Sequence, residues 1–196
     1  MKKIKISATS VAASTNGYAA GVTGASWTLT TTTPGDTLAH QVTIQNNTSN
    51  SHSGKTATLS GTDADGNAVS EVLSLPGASL TVTSVNYYAK LLTVTPSATV
   101  GADTMDIGWS AASRSCWAYT YPGPSAFSIG FGCSVDSGSP TYGVQNTYGG
   151  TVAFNHATVA TQTAQAQGSY LYPIQALRLT FTAAGGVTLT GLQAGG

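Results

Sequence analysis

Charged side chains are scarce in this chain. Of its 196 residues, 7 are Lys or Arg and 7 are Asp or Glu, so charged residues make up 7% and the formal net charge is zero. An ordinary soluble domain carries about 25%. Because the sequence has no basic stripe, it offers little electrostatic support for binding nucleic acid. A surface with so little charge protects a free monomer poorly from association, which favours a permanent assembly.

Long apolar segments are also missing. Lys5 interrupts the first apolar residues, so the chain start lacks the apolar core of a signal peptide. No run approaches the roughly 18 apolar residues of a membrane-spanning helix. We therefore expect a protein without a membrane partner that is made in the cytoplasm and stays there until it joins an assembly.

Cysteine is nearly absent, since two residues cannot form a disulfide framework. Cys116 and Cys133 lie equally far from the Pro124–Ser125 bond in the segment Pro122-Gly-Pro-Ser125. If that segment is a hairpin loop, the two cysteines face each other and form a disulfide or a close thiol pair. The alternative is two separate buried thiols.

The same hairpin register predicts an aromatic cover over small residues. Three aromatic residues would lie over three small ones on the facing strand: Trp117, Tyr119 and Tyr121 over Gly132, Gly130 and Ser128. Aromatic side chains that cover cross-strand glycines stabilise a sheet.

Thr, Ser and Gly fill the chain in alternating runs, as at 56–62 and 187–192. A period of two puts every second side chain on one face, which is typical of half-buried strands. The predicted strands of the first half are 38–45, 56–62, 68–75, 79–94 (as one or two strands) and 105–109. Those of the second half are 117–121, 127–135, 142–147, 151–154, 171–174, 177–182 and 187–192. Residues 158–168, rich in Thr, Ala and Gln, are predicted to be mostly loop.

Short strands with turns about every 10 residues predict an all-β chain of antiparallel β-sandwiches, jelly-roll or immunoglobulin-like. We expect an N-terminal arm over 1–37, because turn residues dominate there and strand signals at 3–7 and 27–29 are weak. A first sandwich module is expected over 38–112 and a second over 113–196. The boundary follows from the small polar residues at 110–115.

The segment Asp63-Ala-Asp-Gly-Asn67 has two interpretations. Asp-Gly between two alternating runs predicts a β-hairpin turn, since such turns need positive φ. The acidic spacing also resembles the start of a calcium loop, but position 74 is Ser where that loop needs Glu. The turn is the favoured interpretation.

Residues that could carry chemistry are few and scattered. His40, His52 and His156 lack the spacing of a metal motif, so structural roles are favoured. No nucleophile signature is present, and the seven carboxylates are too sparse to predict an acid–base pair. We therefore predict no catalytic residue, no cofactor and no metal site, and a protein that is not an enzyme.

Aromatic residues form the other candidate site. They are Tyr87, Tyr88, Trp109, Trp117, Tyr119 and Tyr121. Sheet packing or a subunit interface is the favoured role, since aromatic residues are common in strands. A platform on which sugars stack is the alternative.

Segments over most of 36–196 resemble small β-rich virion structural proteins of tailed bacteriophages. In the first half they are 36–44, 52–56, Gly61-Thr-Asp-Ala-Asp-Gly-Asn67, Glu71, Tyr87-Tyr88-Ala-Lys90 and 101–108. In the second half they are 127–130, Tyr142-Gly-Val-Gln-Asn-Thr-Tyr148, Phe154-Asn-His156, 163–168, 173–179 and 189–195. The resemblance implies a structural part of the particle and supplies no catalytic residues.

Together, the low charge, the predicted strands and the resemblance lead to one functional hypothesis. The chain is expected to be a homo-oligomer, such as a trimer or ring, that binds other virion proteins such as the major capsid protein and decorates the capsid. Its location would be the virion, assembled in the host cytoplasm. The alternatives are a neck or tail accessory protein and a carbohydrate- or receptor-binding module.

Overall fold

A computed structural model of the chain describes residues 2–120, 128–148 and 152–193. Within these ranges the protein is all-β, as predicted, with strands in two sheets of ten and three strands and no helix. The strands are β1 (Lys2–Ser10), β2 (Ser14–Val22), β3 (Ala39–Asn46), β4 (Thr56–Thr62), β5 (Ala68–Ser74), β6 (Thr81–Tyr88), β7 (Lys90–Pro96), β8 (Met105–Arg114), β9 (Ala118–Tyr119), β10 (Ile129–Thr147), β11 (Phe154–Asn155), β12 (Ala166–Tyr170) and β13 (Ala176–Gln193). Across the described ranges we find no helix long and apolar enough to cross a membrane.

The chain divides into two compact units. Unit 1 comprises Met1–Val11 and Arg114–Gly196, and unit 2 comprises Ala12–Ser113. The division after Ser113 lies one residue from the predicted boundary after residue 112.

Unit 2 contains the predicted hairpin. β4 and β5 pair antiparallel from Thr56 opposite Ser74 to Thr62 opposite Ala68, and β7 pairs with the other side of β4. β2 pairs with β8, and β3 pairs with β6. Alternate side chains of these strands point inward and form one core, whose largest fully buried members are Tyr18, Ile44, Leu59, Leu75, Tyr88, Leu91, Met105 and Ile107.

Unit 1 is organised around β13. One side of β13 pairs with β10 along most of its length, and the other side pairs with β1 over Gly185–Gln193 and with β9 at Ala176 and Leu177. Every second residue of these strands is buried, including Ile4 and Ile6 of β1 and Val187 and Leu189 of β13. The first and last strands of the chain are therefore neighbours in one core.

The prediction of an N-terminal arm over 1–37 is wrong for the two strands that this segment contains. β1 pairs with β13 over nine residues, and β2 pairs with β8 at Ser14, Ala19 and Val22. Tyr18 and Ala19 are buried in the core of unit 2. The polar residues of the segment lie on exposed strand faces, which is why the sequence looked like loop.

Several strand predictions in the second half need correction. Within the described residues, the predicted strands 127–135 and 142–147 are parts of one strand, β10 (Ile129–Thr147), because β-bulges absorb the turn residues between them, where Gly138 has a φ of 66°. Residue 127 lies outside the described residues. Likewise 177–182 and 187–192 are one strand, β13. Residues 166–168, which are predicted to be loop, belong to β12, whose residues 166–170 pair with 129–133. Residues 27–29 and 171–174 are not strands.

Truncation of Ile4 tests the place of β1 in unit 1. Ile4 is 4% exposed, so we expect Ile4→Ala to lower the free energy of unfolding by about 2–5 kcal/mol. Chemical denaturation measures the change. The neighbouring Lys5→Ala is the control and should change stability little, since Lys5 is exposed. Equal stability of Ile4→Ala and wild type would show that β1 is not part of the core.

Candidate functional site

Three exposed aromatic side chains lie together on unit 1, and we call them the aromatic patch: Tyr148, Phe154 and Tyr172. They are 51%, 46% and 47% exposed. The ring centre of Tyr148 lies 5.3 Å from that of Phe154 and 5.5 Å from that of Tyr172. Rings at these distances contact one another, so the patch is one continuous apolar surface.

Strand ends hold the patch in place. Tyr148 directly follows β10, Phe154 begins β11, and Tyr172 follows β12 by two residues. β11 pairs with β10 with Phe154 opposite Asn146, which brings Phe154 beside Tyr148. The exposed side chains of Val152 and Leu171 are near these residues in the chain.

Buried rings support the patch from below. The ring of Tyr172 lies 5.8 Å from that of buried Tyr170, which stacks on Phe131 at 5.8 Å and meets His156 edge-on at 4.9 Å. These rings fix the position of the exposed ones, so the patch is a preformed surface.

Tyr148 and Tyr170 carry no charge at neutral pH. Desolvation first, and then the nearby Tyr172 hydroxyl, raise the pKa of Tyr148 above its ordinary value. Burial also raises the pKa of Tyr170. Both phenols therefore stay protonated, which suits contact with another apolar surface.

A second feature of unit 1 is an open groove with glycines at its base. We call it the glycine trough and define it by four residues: Gly130, Gly132, Gln167 and Thr190. On β10, Gly132 lies between Gln167 of β12 and Thr190 of β13, and Gly130 lies between Ser169 and Leu192 of the same strands. Two adjoining cavities of about 420 and 570 Å³ share Gly132, Gln167 and Thr190. This size is within the range of roughly 300–1,000 Å³ of small-molecule sites.

The lining of the trough combines the neutral polar side chains of Gln167 and Thr190 with apolar side chains such as Leu192. A Cβ built on Gly130 or Gly132 would meet no atom within 4 Å, so internal packing does not require these glycines. Glycine inside a strand often marks a place where a ligand or another backbone approaches closely. Gly132 lies directly opposite Gln167 and Thr190 in register, so an amide and a hydroxyl stand on either side of it.

The predicted aromatic cover over these glycines is therefore wrong. Residues 118–119 pair with β13, where Ala118 lies opposite Leu177 and Tyr119 opposite Ala176. β10 already has β12 and β13 as its neighbours over 129–133, which leaves no side for the predicted partner strand. Tyr121 and the proposed loop 122–125 lie outside the described residues.

The hairpin register proposed for the cysteines fails for the same reason. Cys133 lies between Ala166 of β12 and Leu189 of β13, so Cys116 is not its cross-strand partner. Both cysteines are free thiols, with Cys116 exposed and Cys133 buried. Burial raises the pKa of Cys133 to about 12, so this thiol is unreactive as a nucleophile at neutral pH.

Three of the other predicted aromatic residues pack within their own units. In unit 2, Tyr88 is buried in the core, and Trp109 packs edge-on against Tyr18 with ring centres 5.0 Å apart. In unit 1, the guanidinium of Arg178 lies 4.2 Å from the ring centre of Trp117. Packing is the role the structure gives these rings, and Tyr119 is exposed.

All three histidines make structural hydrogen bonds. In unit 2, the ring nitrogens of His40 lie 2.7 Å from Asp36 Oδ2 and 2.8 Å from the Ser110 carbonyl oxygen. His52 contacts Asp103 Oδ2 at 2.8 Å. In unit 1, His156 Nδ1 accepts the backbone N–H groups of Thr158 and Val159. In the ranges described, no three His, Cys, Asp or Glu side chains are grouped as a metal site would need.

The Asp63–Asn67 segment is a hairpin turn. Asp63 Oδ1 accepts the backbone N–H groups of Asp65 and Asn67, each at 2.9 Å. Gly66 has a φ of 83°, which glycine adopts without strain. The Asp63 carboxylate therefore holds the turn between β4 and β5.

Comparisons with known proteins add no assignment. No family model matches the sequence, no curated protein is similar to it, and no solved structure matches its fold.

The pH dependence of stability is expected to involve Asp103. Hydrogen bonds from His52 and then Asn50 hold the pKa of Asp103 below its ordinary value. The ionised group therefore stabilises the folded state above its unfolded pKa of about 3.9, and this contribution is lost as the pH falls through the folded pKa. Asp103→Asn should flatten the acid limb of a plot of unfolding free energy against pH. Ser53→Ala in the neighbouring loop is the control, and a limb of unchanged slope in Asp103→Asn would contradict this role.

Proposed function

We propose that the protein is a structural component of a tailed-phage virion that decorates the capsid as a homo-oligomer and stabilises the particle. Its work is mechanical and involves no catalysis. The aromatic patch is the observation that carries the proposal. A neck or tail location would use the same surface.

The patch has the properties of a protein contact. Tyr and Phe side chains are large, and burying an aromatic ring that is half exposed stabilises association by about 1–2 kcal/mol. Aromatic residues are enriched in the buried centres of interfaces, whereas charged residues are depleted there. Because only 7% of the residues are charged, most of the surface of this protein is poor in charge, as the centre of an interface is.

We also propose that unit 2 is an antiparallel β-sandwich of the jelly-roll or immunoglobulin-like kind. Its core contains side chains from the three-stranded sheet, such as Leu59 and Leu91, together with Ile44 of β3 and Ile107 of β8. Two layers of strands that share one core support this arrangement.

Removal of the aromatic patch tests the proposal. Tyr148→Ser, Phe154→Ser and Tyr172→Ser together should weaken self-association, or binding to purified capsids, by at least about tenfold. Sedimentation velocity of the free protein and co-sedimentation with capsids measure these two effects. The side chains are half exposed, so the fold should persist, which denaturation checks.

Leu80→Ser is the matched control, because Leu80 is an exposed apolar side chain of unit 2. It should leave both measurements unchanged. If the wild-type protein stays monomeric at all concentrations and binds neither capsids nor tails, the proposed function is wrong.

Binding of a neutral glycan is a second candidate, favoured by the glycine trough. Amide and hydroxyl groups without charge suit the hydroxyl groups of a sugar. Gly132→Val should fill the trough without disturbing the fold, since a Cβ there meets nothing. We expect this variant to abolish any signal on a glycan array, while Thr182→Val, an exposed change elsewhere on β13, retains it. A wild-type array without signal would eliminate this candidate.

A further inference from the structure

The net charge of zero conceals an uneven distribution of charge between the two units. Unit 1 has five basic residues and one acidic residue, so its formal net charge is +4: Lys2, Lys3, Lys5, Arg114, Arg178 and Asp136. Unit 2 has two basic and six acidic residues, so its formal net charge is −4: Lys55, Lys90, Asp36, Asp63, Asp65, Glu71, Asp103 and Asp106. The two units therefore carry formal net charges of equal size and opposite sign.

The positive charge of unit 1 is concentrated on β1, and we call this strand the basic strand. Lys3 and Lys5 are exposed and lie two residues apart, so they share one face of the strand. They lie opposite Leu192 and Thr190 of β13, neither of which is charged. Lys2 Nζ donates a hydrogen bond to the Tyr119 carbonyl oxygen. No acidic side chain therefore faces Lys3 or Lys5 from the strand paired with them.

The negative charge of unit 2 includes a compact acidic hairpin, formed by β4, β5 and their turn. It carries Asp63, Asp65 and Glu71 and no basic residue. The Glu71 carboxylate accepts the backbone N–H groups of Val85 and Asn86 of β6, at 2.8 and 2.9 Å. Lys90 of β7, opposite Thr62, is the one cation of this three-stranded sheet. Asp65 is exposed at the turn, where the bonds to Asp63 hold the backbone in a fixed shape. The hairpin therefore presents the negative charge of Asp65 at a turn whose backbone is held by the Asp63 carboxylate.

Like charges prevent two copies from meeting through the same surface. Pairing of two basic strands would bring six lysines together, and contact of two acidic hairpins would bring six carboxylates together. Like charges placed directly opposite each other destabilise a sheet contact. Lysines on a strand at the edge of a sheet likewise discourage pairing with an identical strand.

We propose that the basic strand of one copy binds the acidic hairpin of a second copy, so that the protein associates head to tail. The occupant is a second copy because the two surfaces have opposite charge and occur on the same chain. A heterologous contact of this kind produces a ring if its rotation closes and a filament if it does not. The proposal rests on the proposed function, since it specifies how the copies of the assembly recognise each other.

Salt and charge reversal test the head-to-tail contact. Between about 0.01 M and about 1 M salt the Debye length falls from roughly 30 Å to 3 Å, so the association should weaken strongly over this range. Lys3→Glu with Lys5→Glu should weaken association in low salt by about tenfold and remove most of its salt dependence. Asp65→Lys should weaken it as well. Sedimentation velocity measures all three.

Lys90→Glu is the matched control. It also replaces an exposed lysine by glutamate, but it adds negative charge beside the acidic hairpin. The proposal requires that the Lys90→Glu variant associates at least as tightly as the wild type. If lowered net charge weakened association in general, Lys90→Glu would weaken the association as Lys3→Glu with Lys5→Glu does.

The outcomes separate this inference from the proposed function. Oligomers that persist in high salt and in the charge-reversed variants would overturn the head-to-tail contact and leave the proposed assembly intact. A monomer under every condition would overturn both. If the basic strand instead binds a labelled DNA duplex or heparin, and the lysine variants lose only that binding, its partner is a polyanion and the inference is wrong.

Discussion

Unit 1 depends on the pairing of β13 on both of its sides. This strand has 18 residues, and its hydrogen-bonded neighbours are β10 on one side and β1 on the other. A shift of one residue in either pairing would turn Val187 and Leu189 to solvent, so the buried side chains fix the register. At Gly185 the φ is 148°, and a Cβ would meet the Pro140 ring at 2.6 Å. Glycine is therefore needed where the bulged part of β10 crosses β13.

The surface left by this pairing is unusual because it is poor in charge and locally rich in aromatic rings. The rings of the aromatic patch contact each other and rest on Tyr170, which is itself stacked on Phe131. An exposed surface of this kind gains stability when another protein covers it. The charges that remain are sorted between the units, so apolar contact and electrostatic orientation can act together in one assembly.

Much of the fold of unit 2 could be predicted from the sequence. The alternating runs at 56–62 and 68–74, with Asp-Gly between them, specify a hairpin through local chemistry alone. Unit 1 could be predicted less well because its pairings join distant parts of the chain. The polar residues of β12 gave no strand signal, since its pairing with β10 supplies the stability. The bulges in β10 likewise resemble turns when the partner strand is unknown.

The candidate site could be predicted least. Tyr148, Phe154 and Tyr172 are far apart in sequence, and each looks like an ordinary strand residue. In the sequence, the one indication of this site is that Tyr170 and Tyr172 alternate around Leu171 in a polar region. The charge separation cannot be predicted from the sequence, because β1 belongs to the same unit as the second half of the chain. Only the pairing of β1 with β13 assigns the three N-terminal lysines to that unit.

Hydrogen exchange across a dilution series tests most directly whether this surface is covered by a neighbouring protein copy. The account predicts that backbone amides at 152–155 and 171–172 are protected in concentrated protein and lose protection on dilution, while the β13 core amides at 187–189 stay protected throughout. Exchange at 152–155 and 171–172 that does not depend on concentration would contradict it.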